Sequence, residues 1–286
     1  MVRDRPRRSA LFVPGANARA LEKARALPAD VVIVDLEDAV APAAKEGARA
    51  AAVAALRAGG FRSERVIRVN GADTPWHAAD LEAAAGAPVD AVCLPKVESP
   101  EALRAAALAL DRAGAPPQLA LWAMVETPRG VLAAREIGEA SGRLACLVAG
   151  TSDLGRALRA RHTPGRAEVL TSLSLVVLAA RSAGLAALDG VFLDLADQAG
   201  LEAACRQGRE LGFDGKTLIH PGQLEAANRL FAPEEEELAR ARRVVEAHAR
   251  ARAEGRGVAV VDGRLVEALH VAEAERLLRL DAMLRC

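Results

Sequence analysis

Between residues 10 and 219 the chain repeats one rhythm eight times: a short apolar run, then a longer segment that is polar on one face. The runs are Ala10 to Val13, Val31 to Val34, Val66 to Val69, Ala91 to Leu94, Leu119 to Ala123, Leu144 to Val148, Gly190 to Leu193 and Gly215 to Ile219. Helical periodicity falls between them, as in Ala18 to Ala26, Lys45 to Arg57, Pro100 to Arg112 and Ala199 to Leu211. Strands joined by such helices pair in parallel, because a parallel neighbour needs a crossover long enough to bring the chain back to the same end. Eight units predict an α/β fold, a closed (β/α)₈ TIM barrel.

The competing open, doubly wound sheet lacks its Gly-x-Gly-x-x-Gly phosphate turn. Gly212 to Thr217 imitates a P-loop, but its glycines are too close, and Gly-Lys-Thr opens a strand instead of a helix. The barrel is assigned to residues 1–232. Residues 233–286 form a helical extension, expected to pack on the barrel or on a neighbouring subunit: an acidic run at Glu234 to Glu237, a helix to about Arg252, a break at Gly255 to Gly257, and a last helix near Glu267 to Met283.

With 286 residues, 51% of them hydrophobic, the chain can bury one large core, and its 2% aromatic content requires that core to be built from Ala, Val and Leu. Basic and acidic side chains balance at 38 each, so no global field recruits nucleic acid or an anionic membrane. The apolar run after Arg3, Arg5, Arg7 and Arg8 is cut at Pro14-Gly15, too short for a signal peptide or a span. Cys93, Cys146, Cys205 and Cys286 show neither CxxC nor zinc spacing and read as packing thiols of a cytoplasmic protein.

In a (β/α)₈ barrel chemistry sits where the strands end. Strand two ends in Asp35-Leu36-Glu37-Asp38, strand three carries Arg68 and Asn70, and strand four ends in Pro95-Lys96-Val97-Glu98. Strand five ends in Glu126-Thr127-Pro128, strand six in Gly150-Thr151-Ser152-Asp153, strand seven at Asp194 and Asp197, and strand eight in His220-Pro221. Crowded carboxylates need a counter-charge, and Mg²⁺ takes one or two of them while keeping water and substrate oxygens. Glu126 and Asp153, on adjacent strands, supply such a pair; alternatively Asp153, with Ser152, caps a helix. Arg68 shares a face with Val66, and its planar fork suits a carboxylate, either a ligand's or that of Glu37 or Asp38. His77, His162, His248 and His270 have no partner at ligand spacing, and His220 is either a helix-start residue or an acid-base group.

The blocks Ser9 to Gly15, Asp35 to Val40, Arg68-Val69-Asn70, Leu94 to Glu98, Glu126-Thr127 and Leu211 to Pro221 resemble, in order, the citrate lyase β-subunit and malyl-CoA lyase family. The resemblance implies the same barrel with a C-terminal extension, a homotrimer or hexamer, Mg²⁺, and a CoA or acyl-carrier thioester. It puts the metal on Glu126 and Asp153 and the substrate carboxylate on Arg68, with Glu126, Gly150 and Thr151 around the substrate. Glu37, Asp38 and Lys96 would support the metal and its water, and Pro14, Gly15 and Arg19 would lie near the thioester's nucleotide. Glu267 stands where the family has an aspartate that serves a neighbouring subunit's site as acid-base group; its other reading is a helix start.

The reaction so implied is Mg²⁺-dependent retro-Claisen cleavage of a 3-hydroxyacyl thioester, such as citryl-CoA to acetyl-CoA and oxaloacetate, or its reverse. Malyl-CoA or methylmalyl-CoA cleavage, with glyoxylate as a possible keto acid, and hydrolysis of malyl-CoA at the same metal site are the alternatives. Further readings are a CoA-independent pyruvate aldolase, for which His220 is the available histidine, and a non-catalytic subunit of a larger complex.

Overall fold

The computed structural model describes residues 5–285. Eight parallel strands close into a barrel in sequence order: β1 (Ser9–Pro14), β2 (Val31–Asp35), β3 (Glu64–Arg68), β4 (Ala91–Leu94), β5 (Ala120–Val125), β6 (Leu144–Ala149), β7 (Ala186–Asp189) and β8 (Gly215–Leu218). Closure is made by β1 against β8, with Ser9 opposite Lys216 and Leu11 opposite Leu218.

The strands are buried on both faces, which is why they read as apolar runs without alternation. One core fills the interior with Ile33, Val66, Cys93, Trp122, Cys146, Val148 and Leu188. A larger one, including Val32, Val34, Ile67, Leu121 and Leu147, lies between the strands and the helices. Val66 and Arg68 therefore point inward while Ile67 and Val69 face the helices, as period-two alternation requires. Cys93, Cys146 and Cys205 are free and buried, and burial pushes the Cys146 thiol well above the usual range. Cys286 lies outside the described residues.

The seventh strand departs from the sequence reading. It is Ala186–Asp189, and the apolar run Gly190 to Leu193 lies beyond it, with Leu193 64% exposed. The run was misleading because this strand ends in a buried charge. Asp189 is fully enclosed and paired with both Arg166 (2.7 Å) and Lys216 (2.8 Å), a compensation that hydropathy cannot register. Asp194 and Asp197 consequently lie in the following loop, where Asp197 accepts from Gly200 N as the cap of the helix Gln198–Leu211.

Contacts within the chain define two compact units, with the boundary along the chain between Phe231 and Ala232. The second contains the helix Glu235–Ala253, a hairpin of β9 (Ala259–Val261) and β10 (Arg264–Val266), and the helix Ala268–Leu284. The hairpin was not anticipated, since three-residue strands leave no periodic signal. Its turn holds Asp262 and Gly263 at positive φ, the backbone a two-residue hairpin loop needs. No described helix is long and apolar enough to cross a membrane.

Candidate active site

The C-terminal ends of β2 to β6 bring together a cluster of charge. Asp35, the last residue of β2, is buried beside Arg68, the last of β3, because these two residues are register partners. Arg68 donates through Nε to Asp35 Oδ1 and through Nη2 to Oδ2, both at 2.6 Å. Asp35 also accepts the amides of Glu37 (2.9 Å) and Ala39 (3.1 Å), so one carboxylate fixes both the arginine and the turn that follows it. The guanidinium stacks over Phe12 of β1 at 4.6 Å.

This partner was missed from sequence, where Arg68 was weighed against Glu37 and Asp38. Both do approach it, but only through Nη1, at 2.9 Å and 3.5 Å. The Nε edge is thus committed to Asp35, and the Nη1 side faces the remaining acids. The available signal was an aspartate ending a strand buried on every residue, a position that demands a partner.

Glu37 is buried between two cations, Arg68 Nη1 and Lys96 Nζ, the latter at 2.5 Å. Desolvation nevertheless raises its pKa, and Arg68 counteracts that only in part. Its Oε2 has no aligned hydrogen-bond donor, leaving an acceptor for a further ligand or water. Asp38 is exposed.

Lys96 takes a left-handed backbone (φ +49°), a costly conformation for a residue with a Cβ. The conformation directs its amide to Glu126 Oε1 at 2.7 Å. One residue therefore holds Glu126 by its main chain and Glu37 by its side chain.

Glu126, just past β5, is only 3% exposed. Burial raises its pKa to about 7; the Lys96 amide works against the shift, and the charges of Glu37 and Asp153 add to it. Gly150 packs against this side chain: a Cβ there would overlap the Cβ and Oε2 of Glu126. Gly150 also starts the helix Thr151–Ala157, whose first turn carries Asp153. That helix has no side-chain cap, so Asp153 and Ser152 do not perform the capping task considered for them. Asp153 instead meets the exposed Arg156 at 3.1 Å. Thr151 is half-buried, and a Cβ on Gly190 would strike its hydroxyl.

Among the described residues no group of three or more His, Cys, Asp or Glu side chains forms a metal cluster. Two nearby carboxylates, one desolvated and packed against a glycine, fit a hard cation that retains water and substrate oxygens. With its pKa raised to about 7, Glu126 would have to give up a proton to any Mg²⁺ that it bound below that pH. Mg²⁺ affinity is accordingly expected to rise about tenfold per pH unit up to roughly 7 and then level, with proton release measurable by calorimetry in buffers of different ionisation enthalpy. An affinity independent of pH between 5.5 and 8 would exclude Glu126 as a ligand.

The other sequence candidates separate. Gly15 packs on the acid turn, its amide donating to Asp35 O at 2.8 Å; Pro14 precedes it, and Arg19 is exposed on the first helix. His220 Nδ1 accepts from Gly222 N at 3.0 Å, a helix-start role. Glu267 belongs to the second unit and caps the helix Ala268–Leu284 in a reciprocal arrangement with His270.

A closed parallel barrel whose strands end in buried acids and arginines defines the class, a (β/α)₈ barrel with a charged C-terminal mouth, the end at which such barrels carry their chemistry. The particular family follows from comparison: residues 8–221 match the HpcH/HpaI aldolase/citrate lyase family, and the chain belongs to it. It is 48% identical to a (3S)-malyl-CoA thioesterase of Cereibacter sphaeroides (strain KD131 / KCTC 12085), over 96% of this chain and 94% of that protein. It is 39% identical to citrate lyase subunit beta of Escherichia coli (strain K12), over 92% and 89%. Among solved structures, CitE from Mycobacterium tuberculosis in complex with magnesium, acetoacetate and coenzyme A aligns with a TM-score of 0.76 at 35% identity, covering 98% of this chain and all of that one.

Proposed function

We propose that the chain is a Mg²⁺-dependent carbon-carbon lyase that cleaves a 3-hydroxyacyl-CoA of malyl or citryl type, or condenses its products. The reading is carried by the combination of a partly committed guanidinium with the Glu126 and Asp153 carboxylates at the same mouth. Such a set recognises the end of a molecule that bears a hydroxyl or oxo group next to a carboxylate. Glu126 and Asp153 would hold Mg²⁺, which would supply a Lewis acid to such a molecule.

Arg68 binds the carboxylate through its Nη1 side and so aligns the bond to be broken. Gly150 and Thr151 leave room for the substrate beside Glu126. Lys96 keeps Glu126 and Glu37 in place, and Glu37 and Asp38 orient water at the acid pair. Pro14, Gly15 and Arg19 lie along the thioester's nucleotide. In cleavage the hydroxyl loses its proton, and the bond from the carbinol carbon to the carbon beside the thioester breaks. The electron pair passes into the thioester enolate, whose carbon then takes a proton to become the acyl methyl group.

The carboxylate that exchanges these protons is Glu267 of a neighbouring copy in a trimer or hexamer. Support comes from the second unit alone: Val260 and Leu265 are cross-strand partners on the outer face of the hairpin, and both are exposed, as are Val258 and Leu269. An apolar face beside Glu267 is suited to contact with another chain. Mixing Glu267→Ala with Arg68→Ala protein under subunit exchange should restore part of the activity that each lacks. Mixed oligomers without recovery, together with full activity of Glu267→Ala alone, would leave Glu267 with its helix-capping role only.

The whole-length 48% identity to a malyl-CoA thioesterase favours a second reading, hydrolysis at the same site. Product analysis with Mg²⁺ and with a chelator decides between them. Malyl-CoA should yield acetyl-CoA and glyoxylate; malate and free CoA as the primary products would establish the hydrolase.

A further inference from the structure

Lys45 breaks a local rule. It is the first residue of the helix Lys45–Ala58, where the helix dipole favours a carboxylate over an ammonium. It is also buried, at 6% exposure. Its Nζ donates to two carbonyl oxygens, Leu36 O at 2.8 Å and Glu37 O at 2.6 Å, and lies 5.6 Å from the centre of the Trp76 ring. Both carbonyls belong to the acid turn after β2.

An ammonium in such a place costs free energy that a methionine of similar length would not. The carbonyls and the aromatic face offset part of that cost. What the lysine adds is a hold on two successive peptide groups. Asp35 anchors the same turn from the other side, through the amides of Glu37 and Ala39. From the turn so held, the Glu37 side chain runs into the gap between Arg68 Nη1 and Lys96 Nζ.

We propose that Lys45 is a positioning residue for Glu37, clamping the Leu36 and Glu37 carbonyls so that the Glu37 carboxylate bridges Arg68 and Lys96 at the mouth. Its consequence for turnover rests on the function proposed above; its structural content does not.

The test is a crystal structure of Lys45→Met, with Lys45→Gln in reserve should the first variant fold poorly. Glu37 is expected to leave at least one of its two cations, and Lys45→Arg, which can reach the same carbonyls, to restore the bridge. If Glu37 still bridges Arg68 and Lys96 without the lysine, the proposal is overturned whatever reaction the enzyme performs. A kinetic cycle supplies the second arm. Lys45→Met should lower kcat by roughly 10- to 100-fold, as loss of an outer support does, with Mg²⁺ affinity unchanged. In the Glu37→Gln background the same change should have little further effect, since the two act through one group. Effects that multiply would show Lys45 acting on the fold instead. Failure of the unaltered protein to turn over any thioester would refute the functional reading, and the crystallographic arm would still decide the clamp.

Discussion

Glu126→Ala and Asp153→Ala should each abolish measurable Mg²⁺ binding and lower turnover at least about a thousandfold, the equivalent of about 4 kcal/mol of lost Lewis-acid stabilisation. Gly150→Ala should approach the same result without touching a ligand, because its methyl group would occupy the space of the Glu126 side chain. Calorimetric titration of the three variants beside the unaltered protein checks both statements, and full metal affinity in all of them would refute the site. Stability should move the other way in Glu126→Gln. The folded protein holds this proton up to about pH 7, above the unfolded value near 4.5, so ionisation of Glu126 progressively destabilises the metal-free fold across that window. The glutamine variant, which cannot ionise, should therefore match the parent Tm at pH 4 and exceed it at pH 8 without metal.

Arg68→Lys is expected to lose binding of the 2-oxo acid product by about tenfold or more while free CoA binds as before. An ammonium cannot hold the two oxygens of Asp35 and also present a second edge to a ligand. Arg68→Ala should be worse in kind, leaving Asp35 buried and unpaired at a cost of about 3–5 kcal/mol in urea unfolding. The double change Arg68→Ala with Asp35→Asn should recover much of that stability and none of the oxo acid binding. Equal losses for both ligands in Arg68→Lys would assign the arginine to barrel construction alone.

The acid-rich rim was visible in the sequence because it depends on a single coordinate, position along a strand. Glu126 follows Met124-Val125 and precedes Pro128, so it stands just past the end of β5 with no knowledge of neighbours. Asp35 stood in the same rim motif, yet its role was hidden, since it depends on which strand lies beside it. The bond to Arg68 spans 33 residues and exists because β2 and β3 pair in one register. Lys45 was hidden for a similar reason, as a lysine within a helix ordinarily faces water. Lys96 was recognised as a rim residue, but its left-handed backbone serves a contact across strands, the bond from its amide to Glu126.

The sequence by itself determined the number and order of the β/α units and the gathering of acidic side chains where the strands end. These follow from local periodicity and from hydropathy, which each residue carries wherever it is placed. Tertiary structure alone decided that β7 ends at the buried Asp189 and not in the apolar run after it, that Arg68 spends one edge on Asp35, and that Glu126 keeps a proton near neutrality. Those outcomes are electrostatic and depend on distance and desolvation. Both are properties of groups brought together from distant parts of the chain.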